Sequence, residues 1–199
     1  MANSDAAFGL RPVRDQAGGV YNGAVNRYYV PDTDSTAIYI GGLVKLAGSG
    51  DADGIPSVTG NVSTGDGVVG VVVGVEPVTH ESLIYRAAST ERYVFVADDP
   101  NQLFEVQEDS DSATLAAADI GEVADLVNFT SGSTTSGLSS IEVNSDTATA
   151  SYTAGTSDHD VELVRVSQKV GNAIGANAVW EVRLLNHIRG NNYNRNVGA

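Results

Sequence analysis

The sequence predicts an all-β fold, a small β-barrel or β-tulip-like body with one short helix and extended arms at both termini. Three observations carry that expectation. Valine, threonine, tyrosine and isoleucine, which fit a pleated and half-buried surface, recur in runs of about five or six residues. Glycine accounts for 22 of the 199 residues and falls largely between those runs, where turns need it. Only one short segment has helical character. The chain is long enough for one domain with a real core. It divides into an N-terminal arm (1–24), a β-rich body (25–188) and a polar C-terminal tail (189–199).

In order along the chain, residues 1–24 lack a helical period and break at Gly18-Gly19, which predicts an extended arm offering Phe8, Leu10 and Val13 to a neighbour's sheet edge. Strands are expected at 25–30, ending at Pro31; at 37–40, ending at Gly41-Gly42; and at 43–47. Pro56 demotes 55–59 to an edge strand. Residues 68–75 are almost all valine, which predicts a strand covered on both faces, with Gly70 and Gly74 marking bulges or close backbone contact. Residues 83–85 add a short strand. Residues 92–109 read as a β-hairpin around the turn Asp98-Asp99-Pro100-Asn101, and this hairpin is the expected core seed.

The short helix is placed at 114–119, capped by Thr114 and stopped by Gly121. Strand character resumes over 122–129. Residues 130–140 are Ser, Thr or Gly except Leu138, which predicts a mobile loop. Residues 141–143 and 147–153 are expected as an outlying ribbon, and 161–167 as a core strand. In 178–186, Trp180, Val182 and Leu184 alternate with Val179, Glu181, Arg183 and Leu185, the period of two that a half-buried strand requires.

There is no cysteine, so disulfides, thiolate metal sites and thiol catalysis are excluded. Neither a signal peptide nor a membrane span is expected. The net charge of −14 is uneven: between Arg92 and Arg165 there is no Lys or Arg but 14 acidic residues. That segment predicts an acidic surface, unfavourable to nucleic acid and anionic membranes.

No catalytic or metal-ligating pattern emerges. His80, His159 and His187 are scattered, without zinc-ligand spacing. Asp158-His159-Asp160 lacks a nucleophile context and reads as a solvated turn. Asp51-Ala-Asp-Gly54 begins a calcium-loop rhythm, but Val62 stands where a glutamate would be needed, so a turn is expected instead. Pairs such as Asp98 with Asp99, or Glu105 with Glu108, could serve a glycosidase, yet acids are too common here for the pairing to point anywhere. Glycines near 65–70 precede a strand and not a helix, so no phosphate loop is present. Arg189, Tyr193 and Arg195 are too small a footprint for nucleic acid. No enzyme activity and no cofactor are expected.

Several strings in sequence carry a resemblance: Phe8-Gly-Leu-Arg-Pro-Val-Arg, Tyr21-Asn-Gly, Arg27-Tyr-Tyr-Val-Pro-Asp-Thr-Asp, Gly41-Gly-Leu-Val, Tyr93-Val-Phe-Val-Ala-Asp-Asp-Pro-Asn and Asn177-Ala-Val-Trp-Glu-Val. Their layout, spanning most of the chain, resembles tailed-phage capsid decoration proteins, also called cement or head-stabilising proteins. The resemblance implies a non-enzymatic virion protein, made in the bacterial host cytoplasm, that sits on the outer capsid surface. It further implies a homotrimer whose arms clamp neighbouring major capsid subunits, with Phe8, Leu10, Arg11, Pro12, Val13 and Arg14 as the capsid-binding residues of this chain. The competing expectation is a carbohydrate-binding or adhesive module displayed on a virion surface.

Overall fold

Two separate sets of buried side chains organise the protein, whose computed structural model describes residues 3–150 and 158–190. The first strand, β1 (Arg11–Asp15), belongs to a sheet described below. The next five, β2 (Asn26–Val30), β3 (Leu43–Gly50), β4 (Pro56–Thr59), β5 (Gly70–Val75) and β6 (Arg92–Ala97), close into a barrel in the order β2-β4-β3-β5-β6. So small a barrel is filled by its own side chains, here chiefly Val30, Val44, Val58, Val69, Val72, Val94 and Val96 around Tyr28. β4 lies between β3 and β2. The expected edge position is therefore corrected: Pro56 is the first residue of the strand, where a missing N–H is tolerated.

Arg86 is fully buried and ties the connections around the barrel together. Its guanidinium donates to the carbonyls of Thr36 at 2.6 Å, Pro31 and Thr90 at 2.7 Å, and Asp34 at 2.8 Å. Those bonds do the work that strands were expected to do at 37–40 and 83–85, which reduce to single bridges, Ile38 with Arg86 and Ile40 with Leu138.

The second set belongs to β7 (Gln102–Gln107), β8 (Val123–Ala124), β9 (Leu126–Val127), β10 (Glu142–Val143), β11 (Val161–Val166) and β12 (Val179–Leu184). An antiparallel sheet runs β1-β7-β12-β11-β8, and β9 pairs with β10 separately. Phe104 and Val106 of β7, Trp180, Val182 and Leu184 of β12, and Val161 and Leu163 of β11 form its buried face, with Leu126, Ile141 and Val143 in the same core. The alternation read in 178–186 thus puts Trp180 inside at 0% exposure, while Glu181 and Arg183 take the other face. β5 serves both cores: Val71 joins the sheet core and Val72 the barrel, as does Val69 just before the strand, which fits the covering of both faces expected of the valine-rich run.

The hairpin expected over 92–109 does not form. β6 spends both edges inside the barrel, on β5 and β2, and β7 spends both on β1 and β12, so the two strands have no edge left for each other. Residues 98–101 are instead the crossover between the two sheets. Gly70 permits it, since at φ +155° a Cβ there would stand 2.2 Å from the Ala97 carbonyl oxygen. Asp98 is buried and accepts hydrogen bonds from the Tyr28 hydroxyl at 2.6 Å and the Asn26 amide at 2.9 Å, and Arg189 pairs with it. Burial with Asp98 as hydrogen-bond partner pushes the Tyr28 hydroxyl up to about 12.

Other expectations are corrected by packing. The helix at 114–119 is a single 3-10 turn, Ala117–Asp119, with a second at Ser145–Thr147. Residues 122–129 split into β8 and β9, which pair with different partners. The ribbon at 141–143 is not outlying, because Ile141 and Val143 are fully buried; residues 151–153 lie outside the described residues. The 130–140 tract is held by backbone bonds, Ser139 to Ile40 at 2.8 Å and Ile40 to Gly137 at 2.9 Å, which need no apolar side chains. The arm is packed where it was expected to be free: β1 pairs with β7, and Leu10 is 2% exposed. Arg189 docks on Asp98, and 191–199, including Tyr193 and Arg195, lie outside the described residues.

Candidate functional site

Two glycines bring the N-terminal segment against the barrel. Gly9 has φ +72° and Gly41 φ +85°, and a Cβ on Gly9 would stand 2.6 Å from the Gly41 carbonyl oxygen, so the backbones cross in contact. Leu10 donates its N–H to that carbonyl at 2.9 Å, and Gly41 donates to Val72 of β5 at 2.7 Å. The crossing turns Leu10 into the core and leaves Phe8 and Pro12 half-buried. They wall an apolar cleft of about 530 Å³ together with Leu10, Arg11, Tyr21, Ile40, Val72, Val73 and Leu138.

The rim is cationic. The Arg11 guanidinium lies 4.5 Å from the centre of the Phe8 ring and the Lys169 ammonium 5.7 Å from it, both within range of the ring quadrupole. Behind them Glu105, 4% exposed, accepts from Ser167 at 2.6 Å and pairs with Lys169 and, at 3.8 Å, Arg11. Of the six residues singled out in the sequence, four line the cleft: Phe8, Leu10, Arg11 and Pro12. The other two do not. Val13 sits at the β1 bulge and accepts from the Tyr21 N–H, while Arg14 reaches over the sheet to Glu181 at 2.8 Å.

Tyr21, Ile40, Val73 and Leu138 were missed. One signal was present, because Leu138 is the lone apolar residue in its Ser/Thr/Gly tract; the structure puts it in the cleft wall. The cleft's polar groups are the Arg11 guanidinium and the Tyr21 hydroxyl, which burial raises above its ordinary pKa and which donates to the Ala24 carbonyl at 3.3 Å. It holds an apolar side chain and an adjacent carboxylate well, and it presents no general base.

Many of the titratable groups elsewhere are engaged in structure. Glu105 and Glu181 face each other across β7 and β12. Burial would raise Glu181, but hydrogen bonds from Arg165 at 2.7 Å and Arg14 at 2.8 Å outweigh it and hold its pKa below the ordinary value. Glu108 is fully buried and accepts from Ser110 and the Leu115 N–H, both near 2.9 Å or closer. Asp160, expected in a solvated turn, is buried and accepts from Leu126 at 2.9 Å and Gly65 at 3.0 Å; burial pushes it up to about 6 despite both bonds. His159 meets Asp125 at 2.8 Å, His80 is exposed beside Glu81, and burial lowers His187, whose Nδ1 accepts from the Arg189 N–H. Asp51 closes its own turn, accepting from Asp53 and Ile55. Among the described residues no group of three or more His, Asp or Glu could hold a metal ion. The acidic segment is thus not a uniformly acidic surface: Asp98, Glu105, Glu108 and Asp160 are buried.

No protein-family model matches the chain, and no curated protein matches it.

Proposed function

We propose that this chain is a structural virion protein that binds the outer surface of a mature phage capsid and stabilises it by clamping neighbouring major capsid subunits. The observation that carries the reading is a coincidence of sequence and space. Within the opening string of the resemblance, residues 8–14, Phe8, Leu10, Arg11 and Pro12 wall the apolar cleft, and Arg11 joins Lys169 in its cationic rim. An apolar side chain of a capsid subunit would fill the recess, with an acidic neighbour over Arg11. Leu10 forms the floor, Phe8, Pro12, Tyr21, Ile40, Val73 and Leu138 form the walls, and Val13 and Arg14 act through β1.

The mechanism is mass action. A protein that binds the assembled shell and not its dissociated subunits stabilises the shell, and repeated contacts from a homotrimer add through effective concentration. An enzyme has little to support it, since the buried carboxylates are neutralised or capped by their partners. A carbohydrate-binding module has less still. Trp180 is fully buried, and Tyr39 packs against both Tyr85, at a ring separation of 4.9 Å, and Gly132.

Co-sedimentation with expanded and unexpanded capsids tests the reading. The protein should pellet with expanded capsids alone, and Phe8→Asp should remain in the supernatant with an unchanged thermal melt. Absence from both pellets would overturn the function, and full binding by Phe8→Asp would overturn the site.

A further inference from the structure

Asn22-Gly23 is the single asparagine–glycine step in the sequence, and it lies in the exposed turn between the cleft wall Tyr21 and strand β2. An asparagine can lose its side-chain nitrogen when that nitrogen is not held and the next backbone nitrogen is open to attack the side-chain carbonyl carbon. Asn22 meets both conditions. Its Oδ1 accepts the Ala24 N–H at 3.0 Å, which fixes the carboxamide over the turn, while among the described residues its Nδ2 donates to no group. The Gly23 N–H is also unbonded among the described residues. Gly23 has φ +85°, and a Cβ there would meet nothing within 4 Å, so the attacking nitrogen is uncrowded.

Every other described asparagine fails one condition. Asn3, Asn26, Asn128, Asn172 and Asn186 donate their side-chain nitrogens to protein oxygens. After Asn61, Asn101, Asn144 and Asn177 the next backbone N–H is itself hydrogen-bonded.

We propose that Asn22 is a self-modification site, at which the chain converts its own asparagine to aspartate and isoaspartate. The Gly23 nitrogen, its proton lost to solvent, attacks Cγ of Asn22. The N–Cγ bond forms, the Cγ–Nδ2 bond breaks, and the leaving nitrogen takes up a proton and departs as ammonia. Water then opens the succinimide, at Cγ to give aspartate or at the Asn22 main-chain carbonyl to give isoaspartate. The net reaction consumes one water, releases one ammonia and needs no other reactant.

The product has two effects on the turn. Its carboxylate joins those of Asp15 and Asp99, which line the same depression of about 140 Å³, and like charges there repel. Isoaspartate also inserts a carbon into the main chain between Tyr21 and Ala24. The Tyr21 N–H stays anchored to Val13 at 3.0 Å, but its hydroxyl loses the Ala24 carbonyl, now 3.3 Å away, and the cleft wall is untied. None of this requires a capsid, so it stands or fails separately from the proposed function.

The test is a timed incubation of the full chain, kept warm at neutral and at mildly alkaline pH, followed by tryptic digestion and mass spectrometry. Asn22 should deamidate about tenfold or more faster than any other described asparagine, since glycine leaves the attacking nitrogen unhindered. The rate should rise with pH, because that nitrogen reacts deprotonated. Both products should form, with isoaspartate identified by enzymatic methylation. Asn22→Gln should stay intact, as its longer side chain closes a less favourable ring. In converted protein, separated by its added negative charge, the amides of residues 21–24 should exchange faster with solvent than in the unconverted chain. No conversion at Asn22, or faster conversion at another described asparagine, overturns the site. Aspartate without isoaspartate overturns the succinimide route, and unchanged exchange at 21–24 overturns the untying of the wall.

Discussion

Leu10→Ala separates a packed N-terminal segment from a free arm. Leu10 is 2% exposed and shares the sheet core with Leu43, Val71 and Phe104. Truncating a buried leucine to alanine costs about 2–5 kcal/mol, more where the cavity stays empty. Here Leu10 also lines the 530 Å³ cleft, so the vacated space opens toward solvent and neighbours can relax into it. That places the cost in the lower half of the range, roughly 2–3 kcal/mol. For a chain of this size the melting temperature should fall by roughly 4–12 °C. Trp180, the single tryptophan and fully buried in the same core, reports the transition by fluorescence in a urea titration. Val20→Ala, at a side chain 82% exposed, is the control and should shift stability by less than about 0.5 kcal/mol. If Leu10→Ala shifts the urea midpoint no more than Val20→Ala does, residues 8–15 are not docked in solution, and the cleft loses its wall. The same packing means that deleting residues 2–20 would strip β1 from β7 and destabilise the body, so point substitutions are the sounder probe of capsid binding.

Three further outcomes are expected. Arg86→Met should destabilise by about 3 kcal/mol or more in urea, because the carbonyls of Pro31, Asp34, Thr36 and Thr90 lose a buried charged donor; a neutral result would mean water replaces the guanidinium. Gly70→Ala should prevent accumulation of folded protein or lower the melt sharply, given the φ of +155° and the 2.2 Å approach to Ala97; a wild-type melt would show that the crossover can shift. Glu142 has a folded pKa raised from 4.5 to about 7, by burial first and then by Asp5 and Asp109. The folded state therefore binds the proton more tightly than the unfolded state, and the associated stability, complete below about 4.5, is lost as pH rises through about 7. Glu142→Gln should gain on wild type in thermal melts as pH increases across that window, and a difference that does not vary with pH would refute the assignment.

Much of the fold was legible because strand formation is a local matter. Alternation placed Trp180, Val182 and Leu184 inside, the valine run over 68–75 implied a strand covered twice, and Gly70 and Gly74 marked a close crossing and a bulge. Of the cleft, Phe8, Leu10, Arg11 and Pro12 stood out in sequence, and Leu138 stood out without a role. The absence of cysteine was likewise a property of the chain itself.

Partnership between distant segments was decided only in three dimensions. Consecutive strands joined by Asp-Asp-Pro-Asn look like a hairpin, yet β6 and β7 had each filled both edges with partners from elsewhere, and edge occupancy leaves no trace in a local pattern. The same holds for charge. Asp98 and Glu105 read as surface acids until Arg189 and Lys169, 91 and 64 residues away in sequence, arrive to pair with them. Burial of an ion depends on a counter-ion being placed beside it, and that placement is a product of the whole fold.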